Sequence, residues 1–479
     1  MTFAAEYAKI RMLVPKEKRA EAKSGDEKMK VVVVGLGKVG RNILQCLVEE
    51  RHDIVAIDEN AETVQDIVDR YDVKGLCGNG CIAENLEEAG ADTADLLLSV
   101  TPSDEQNVLC CLIAKSLGAK NTIARVRDPE YNQQADFMRE KLGIDRLVNP
   151  DKALAKEIIR LLRFPSAEKI SSFADGKVEI VEMKIPPASV LAGKKLSEID
   201  VRNKRFSVLI AAIERGGEII VPGGDTVLKE GDILSICAKH FELCDFLRCY
   251  GLLKKKVQYV MILGAGRSAY YLAHDLEMCG FHVKIISPNR EKCGDIKNKL
   301  ENTSVVCGDF TDREILEAEG IADADAVVAM SSYDENNIMI SLFAKGKNVP
   351  KIVTVVSNDS YGGILESISL DTIISPYQVV AEDTVKYLRS ISVPADSRIV
   401  ALYRIAEALQ FNVNHHKEFT DKAVRELHHK LRTGVLITAI VRGKTLVVPG
   451  GDTVIRGEDS MIVITTHHGA VSSLDDLLR

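Results

Sequence analysis

Four landmarks recur along this chain in one order and at nearly one spacing, and that duplication constrains the fold more than any other feature. The glycine turn 35-GLGKVG-40 answers to 264-GAGRSA-269, an offset of 229 (264 − 35). The segment 78-GNG-80 answers to 308-GDF-310, and 104-DEQN-107 to 334-DENN-337, both at 230 (308 − 78; 334 − 104). Further on, 221-VPGGDTVLKEGD-232 answers to 448-VPGGDTVIRGED-459 at 227 (448 − 221). Ordered landmarks at one offset mean that a whole unit is duplicated, so any fold assigned to one half must serve the other. A length of 479 residues by itself suggests about three domains, with wide tolerance.

Each unit divides into two parts. In the first copy, the apolar runs 30-KVVVV-34, 53-DIVAID-58, 73-VKGLC-77, 95-DLLLSV-100 and 121-NTIARV-126 alternate with amphipathic helix patterns such as 38–50, 84–90 and 105–118. Near-continuously apolar strands separated by helices predict an α/β, Rossmann-type, doubly wound parallel sheet covered on both faces. The second part changes character. Residues 206–238 and 435–466 carry short β-rich runs broken by Gly-Gly, Pro-Gly-Gly and Gly-Asp, the punctuation of tight turns between antiparallel strands.

These patterns give an expected order. A poorly ordered extension (1–28) leads to a first nucleotide-binding domain (29–150) and a helical connector (151–169) stopped at Pro165. A first small C-terminal module (170–251) and a basic joint over 248–256 follow, then a second Rossmann domain (257–394) and a second module (395–479).

The two glycine turns are not chemically equal. In copy one, Gly-x-Gly-x-x-Gly follows a strand and opens a helix, and Asp58 ends the next strand 23 residues beyond Gly35 (58 − 35). That is near the roughly 20-residue spacing of a dinucleotide site. Gly35 would permit the turn, and Gly37 would let backbone approach a pyrophosphate at the helix N-terminus. Gly40 would allow close packing, and Asp58 would take both ribose hydroxyls and repel a 2′-phosphate, which favours NAD over NADP. The alternative is a doubly wound fold whose glycines serve only the turn. Copy two keeps Gly264 and Gly266, with Ala269 third, but Ser287 stands where the acid would be, between Arg267 and Arg290. Its turn either binds more weakly, takes a ligand with extra phosphate, or is scaffold.

Thr101, Pro102 and Ser103 follow a strand at the sheet's carboxyl edge, where ligands of such sheets sit. Arg125 lies in the next strand, either facing the ligand or spent in an ion pair, and Asn79 is within reach of an adenine edge. The pairs 415-HH-416, 428-HH-429 and 467-HH-468 read as surface histidines, because neighbouring residues on one element point apart and cannot share a metal. Eleven cysteines without a Cys-x-x-Cys motif read as reduced thiols of a cytosolic protein rather than as metal ligands. The net charge of −8 argues against a general nucleic-acid binder. No apolar run approaches the roughly 18 residues of a membrane span.

A nicotinamide dehydrogenase needs a second domain that supplies an acid or base and a substrate pocket. Each Rossmann unit here is followed only by a small β-rich module, and 270-YYLAH-274 lacks a Tyr-x-x-x-Lys. No segment is left over for a DNA-binding helix-turn-helix. Sensing without chemistry is the better reading; an NAD-dependent oxidoreductase or a free-standing nucleotide sensor is the alternative.

The glycine turn, Asp58, 78-GNG-80, 89-AGADTADLLLSVTPSDEQN-107 and 123-IARVRDPEY-131 together resemble the nucleotide domain of regulators of potassium conductance. The segments 221-VPGGDT-226 and 448-VPGGDT-453 resemble its companion C-terminal domain. Two copies in tandem over residues 29–479 resemble the Trk-type peripheral potassium-uptake family. The resemblance implies a cytoplasmic subunit, peripheral on the inner face of the cell membrane, that acts on a separate potassium-translocating subunit of Trk or Ktr type. It implies a homo-oligomer, and a dimer would close a ring of four nucleotide domains. It carries nucleotide contacts onto Gly35, Leu36, Gly37, Lys38, Val39, Asp58, Thr101, Pro102, Ser103, Arg125 and Val126, with NAD or NADH as the ligand. In copy two it carries them onto Gly264, Ala265, Gly266, Arg267 and Ser268, whose ligand stays open between NAD, ATP or ADP, and none.

Overall fold

The computed structural model describes residues 28–479 except 165–166, 168, 174–177, 200, 202–205, 217, 221, 253–256, 359–360, 362–369, 371, 393–396, 403–406, 444, 466–470 and 472. The extension before residue 28, residues 253–256 of the basic joint and the pair 467-HH-468 lie outside these residues.

The first Rossmann unit runs β1 (Lys30–Val34), α1 (Lys38–Glu49), β2 (Asp53–Asp58), α2 (Ala61–Arg70), β3 (Lys74–Cys77), α3 (Ala83–Glu88) and β4 (Leu96–Ser99). It continues through α4 (Asp104–Leu117), β5 (Asn121–Arg125), α5 (Pro129–Gln133), α6 (Ala135–Leu142), β6 (Arg146–Val148) and α7 (Pro150–Arg163). The sheet is parallel in the order β3-β2-β1-β4-β5-β6. Its order reverses between β1 and β4, and that switch point opens a crevice at the carboxyl ends of both strands. Val31, Val32 and Val33 are wholly buried because helices cover both faces of their strand. The first module is an antiparallel sheet, β10-β9-β11-β8-β7, built from β7 (Lys169–Phe173), β8 (Val178–Lys184), β9 (Leu209–Arg215), β10 (Glu218–Ile220) and β11 (Ile233–Ala238). The helix α8 (His240–Cys249) follows it.

Copy two repeats this plan. Its parallel sheet is β14-β13-β12-β15-β16-β17, built from β12 (Tyr259–Leu263), β13 (His282–Ser287), β14 (Ser304–Cys307), β15 (Ala326–Ala329), β16 (Lys351–Val355) and β17 (Thr372–Ile374). Its helices are α9 (Arg267–Met278), α10 (Arg290–Lys299), α11 (Arg313–Ala318), α12 (Asp334–Gly346) and α13 (Pro376–Ser392). The second module pairs β18 (Ser397–Leu402), β19 (Glu407–Asn412), β20 (Val435–Arg442), β21 (Thr445–Val447) and β22 (Ser460–Thr465) in the order β18-β19-β22-β20-β21, with α14 (Val424–His428) alongside.

The two halves are joined by an exchange of helices. The apolar face of α7 (Leu154, Ala155, Ile158, Ile159, Leu161, Leu162) lies in the core of copy two, among Val260, Leu272 and Ile285. In return, α13 places Val380, Ala381, Val385 and Leu388 in the core of copy one, against Ile43, Leu44 and Leu47. An ion pair from Arg389 to Glu50 fixes one end of this contact. Burying a large aliphatic side chain is worth about 1.5–3 kcal/mol, so each exchanged face stabilises the other copy substantially. The small modules also share apolar surface, with Ile180, Ala211 and Cys237 of the first meeting Ala439, Ile462 and Ile464 of the second. The exchange brings the carboxyl edges of both parallel sheets to one opening.

Candidate functional site

That opening is a cleft of about 1800 Å³ lined by both glycine turns. From copy one it takes Gly35 to Val39, Asp58, Asn79, Thr101, Pro102 and Arg125. From copy two it takes Gly264 to Ser268, Ser287, Lys292 and Phe310.

In the first turn the three glycines have different reasons to be glycine. Gly35 has φ +93°, and a Cβ there would sit 2.8 Å from the Thr101 amide. A Cβ on Gly40 would fall 1.9 Å from the Gly35 carbonyl oxygen. Both are demanded by the fold. Gly37 is not: its φ of −67° suits any residue, and a Cβ would meet nothing within 4 Å. A side chain there would instead enter the cleft, across the free N–H groups that open α1. Gly266 repeats this, with φ −80° and no neighbour within 4 Å of a Cβ.

Asp58 is bound into the turn. Its Oδ2 accepts from the Leu36 amide at 2.7 Å and its Oδ1 from the Asn60 amide at 2.9 Å. A carboxylate oxygen has two acceptor directions, so each keeps one for a ribose hydroxyl. In copy two, Ser287 is buried and its hydroxyl accepts a long 3.4 Å bond from the Asn289 amide. Among the described residues no bond ties Ala265 to it. Phe310 stands where copy one has Gly80, and it packs into the core with Leu263.

The repeated DEQN and DENN segments prove to be clamps on the cleft's far wall. Asn107, wholly buried, accepts from the Thr101 amide and hydroxyl at 2.7 and 2.8 Å. It donates to the carbonyls of Thr101 and Arg125 at 3.0 and 2.9 Å. Asp104 accepts from the amides of Arg127 and Asp128 at 2.9 and 2.8 Å. Asn337 and Asp334 make the equivalent bonds to Ser331, Val355, Ser357 and Asn358. These residues hold two strand ends at fixed separation. Sequence reading used them only as landmarks; their recurrence at positions one and four of both segments was the available signal.

Arg125 has no carboxylate partner among the described residues, so an ion pair does not account for it. Its Nη1 reaches the Val100 and Thr101 carbonyls only at 3.4 Å, and its Nε is buried without a partner. Burial, together with neighbouring Arg127, pushes its pKa below the ordinary value, the state of a cation short of counter-charge. It can hold an anion at the cleft. Lys38 lies 6.0 Å from the Tyr377 ring of α13.

Two residues carried over by resemblance are placed elsewhere. Ser103 caps α4, accepting from the Gln106 amide at 3.2 Å. Val126 is wholly buried, its amide spent on the Val148 carbonyl and its carbonyl on Asn132. Neither lines the cleft. Asn79 lines it, but its Oδ1 already accepts from the Cys81 amide at 2.7 Å.

None of the eleven cysteines forms a disulfide. Burial pushes the thiol of Cys110, at the back of the cleft, up to about 12, so it stays protonated. Among the described residues no group of three or more His, Cys, Asp or Glu gathers to hold a metal ion, and no helix is long and apolar enough to cross a membrane.

Two Rossmann units, each followed by an antiparallel module, thus share one cleft. A family model described as the TrkA-N domain matches residues 31–150 and 260–376, and one described as the TrkA-C domain matches 180–243 and 408–478. The chain is 32% identical over 457 residues to the Trk system potassium uptake protein TrkA of Vibrio alginolyticus, covering 94% of this chain and 99% of that one. It is 33% identical over 435 residues to a TrkA homolog of Archaeoglobus fulgidus, covering 91% and 97%. The chain belongs to the TrkA family. A solved GsuK RCK domain shares the fold with TM-score 0.61 at 18% identity, covering 94% of each chain. The GsuK channel bound to NAD aligns with TM-score 0.62 at 19% identity, covering 98% of this chain and 83% of that one.

Proposed function

We propose that the chain is a nucleotide-responsive regulatory subunit of a Trk-type potassium uptake system. It works at the inner face of the cell membrane on a separate potassium-translocating subunit, and it performs no chemistry on its ligand. Its relatives in Vibrio and Archaeoglobus carry the name of that system. The observation that carries nucleotide binding is Gly37, which is glycine for no reason internal to the fold and opens a helix N-terminus beside Asp58. NAD or NADH would lay its pyrophosphate across the amides at the start of α1 and its adenosine ribose on Asp58. Arg125 would supply positive charge from the opposite wall. In a dimer the chain would present four nucleotide domains, enough to close a ring.

A ligand shifts such an assembly only through different affinities for two of its shapes. The shared cleft makes that difference natural, because one wall belongs to each copy and the exchanged helices α7 and α13 cross between them. Calorimetric titration with NADH tests the reading. Asp58→Ala should weaken binding by about 1–3 kcal/mol, the worth of charge-assisted hydrogen bonds. Undiminished affinity in that variant rejects the assignment of copy one.

A further inference from the structure

The exchanged helices present different chemistry to the two turns. Asp151, in the first turn of α7, directs its Oδ1 to the Ser268 hydroxyl of the second turn at 2.6 Å. Its Oδ2 accepts from Arg127 Nε of copy one at 2.8 Å. Asp151 is only 7% exposed, and what it exposes lines the cleft. Arg127 is itself fixed, because Asp104 holds its backbone amide. Across the pseudo-symmetry the described residues show no equivalent contact. Tyr377 of α13 takes the place of Asp151, Val39 that of Ser268 and Ser357 that of Arg127. Among the described residues only the second turn bonds to a buried carboxylate of an exchanged helix.

We propose that Asp151 is an internal competitor for nucleotide phosphate at the second turn, and so determines which ligands that turn accepts. Ser268 is the second residue of α9, where phosphate would meet the free amides of the helix start. Phosphate oxygens there must share the Ser268 hydroxyl and its surroundings with a fixed negative charge. Repulsion between like charges falls with distance and is poorly screened inside a protein. The penalty therefore grows with the charge on the phosphates. The second turn disfavours nucleoside di- and triphosphates relative to a dinucleotide, whose two phosphates carry one charge each. Arg127 partly offsets the carboxylate. It is supplied by copy one, so the first unit sets the selectivity of the second.

The inference rests on the nucleotide reading of the cleft, and the test separates the two. ADP and NADH are titrated calorimetrically, in EDTA, into the full chain carrying Asp58→Ala to weaken copy one. Adding Asp151→Asn, close in shape, removes the charge and frees Arg127. Affinity for ADP should rise about tenfold, the effect of a modest Coulomb term at short range, and affinity for NADH should rise less. Adding Gly266→Val, whose Cβ would meet nothing within 4 Å and whose branch fills the space at the helix start, must abolish the gain. Arg127→Gln, which keeps a hydrogen-bond donor but drops the offsetting charge, must move ADP affinity the opposite way. If Asp151→Asn leaves ADP affinity unchanged or lowered, the proposal is wrong. It is equally wrong if the gain survives Gly266→Val, or if Arg127→Gln tightens binding. The Arg127→Gln result decides alone if Asp151→Asn fails to fold. Absence of nucleotide binding in the unmodified chain would overturn the parent reading and this inference with it.

Discussion

Substituting alanine at Gly35 and at Gly37 separates what the turn needs to fold from what it needs to bind. The two positions are neighbours in one loop, yet a Cβ at Gly35 would lie 2.8 Å from the Thr101 amide while one at Gly37 would meet nothing within 4 Å. At Gly35 the positive φ costs an L-residue about 1–2 kcal/mol. The forced backbone shift adds roughly 1–3 kcal/mol, as overpacking does elsewhere. Together these give about 2–5 kcal/mol, a fall of roughly 5–15 °C in Tm for a unit of this size. At Gly37 the conformation already suits alanine, so loss of unfolded-chain entropy should leave stability unchanged or raised by about 0.4–1 kcal/mol. The same methyl group stands where the pyrophosphate would approach, and NADH affinity should fall about tenfold or more, or roughly 1.4 kcal/mol. Thermal denaturation followed by circular dichroism, with NADH titration of the same preparations, reads both effects. Because several domains unfold, the comparison uses the shift of the affected transition rather than a single free energy. A Gly37→Ala protein that is destabilised, or that binds NADH as well as the parent, would refute the reasoning.

Asn107→Ala should cost about 2–4 kcal/mol, because the buried groups it clamps at Thr101 and Arg125 lose their partners; chemical denaturation checks this. Ile158→Ala on α7 should lower the stability of copy two rather than copy one by about 2–5 kcal/mol. Hydrogen exchange resolved by segment would show which sheet loosens. Asp232 and Asp459 provide a pH prediction. Burial alone would raise their pKa values, but the forks of Arg215 and Arg442 and the Lys229 and Arg456 amides carry both below 3.8. A carboxylate depressed on folding stabilises the native state above its unfolded pKa, and that contribution is lost as pH falls below about 4. Asp459→Asn should therefore flatten the acid limb of stability against pH. Purified protein should not consume NADH with small carbonyl substrates; steady turnover at about 1 per second or faster would favour an oxidoreductase.

The duplication, the parallel sheets and the gathering of Gly35, Gly37 and Asp58 at one strand-end turn were legible because each leaves a local trace. Such traces are an offset, an apolar run, or a turn with an acid at a set distance. The exchange of α7 and α13 left none. An amphipathic run such as 154-LAKEIIRLL-162 shows that a face is buried, not which copy buries it. The edge strands β6 and β17 are three residues each, too short for any periodicity to reveal. The bond between Asp151 and Ser268 joins positions 117 residues apart (268 − 151) in different repeats, so neither motif contains it. Val126 was carried over with its neighbour Arg125, but alternate residues of a strand face opposite sides, and its side chain turns into the core.

The central claim is that nucleotide in this cleft governs ion movement through another protein. It is tested by reconstituting the cognate potassium-translocating subunit in liposomes and measuring potassium flux without this chain, with it, and with NADH, NAD, ATP or ADP added. The account predicts that the chain alters flux and that at least one nucleotide alters it further, with Gly37→Ala blunting the nucleotide response. Flux that ignores both the chain and every nucleotide, while the two proteins bind each other, would contradict it.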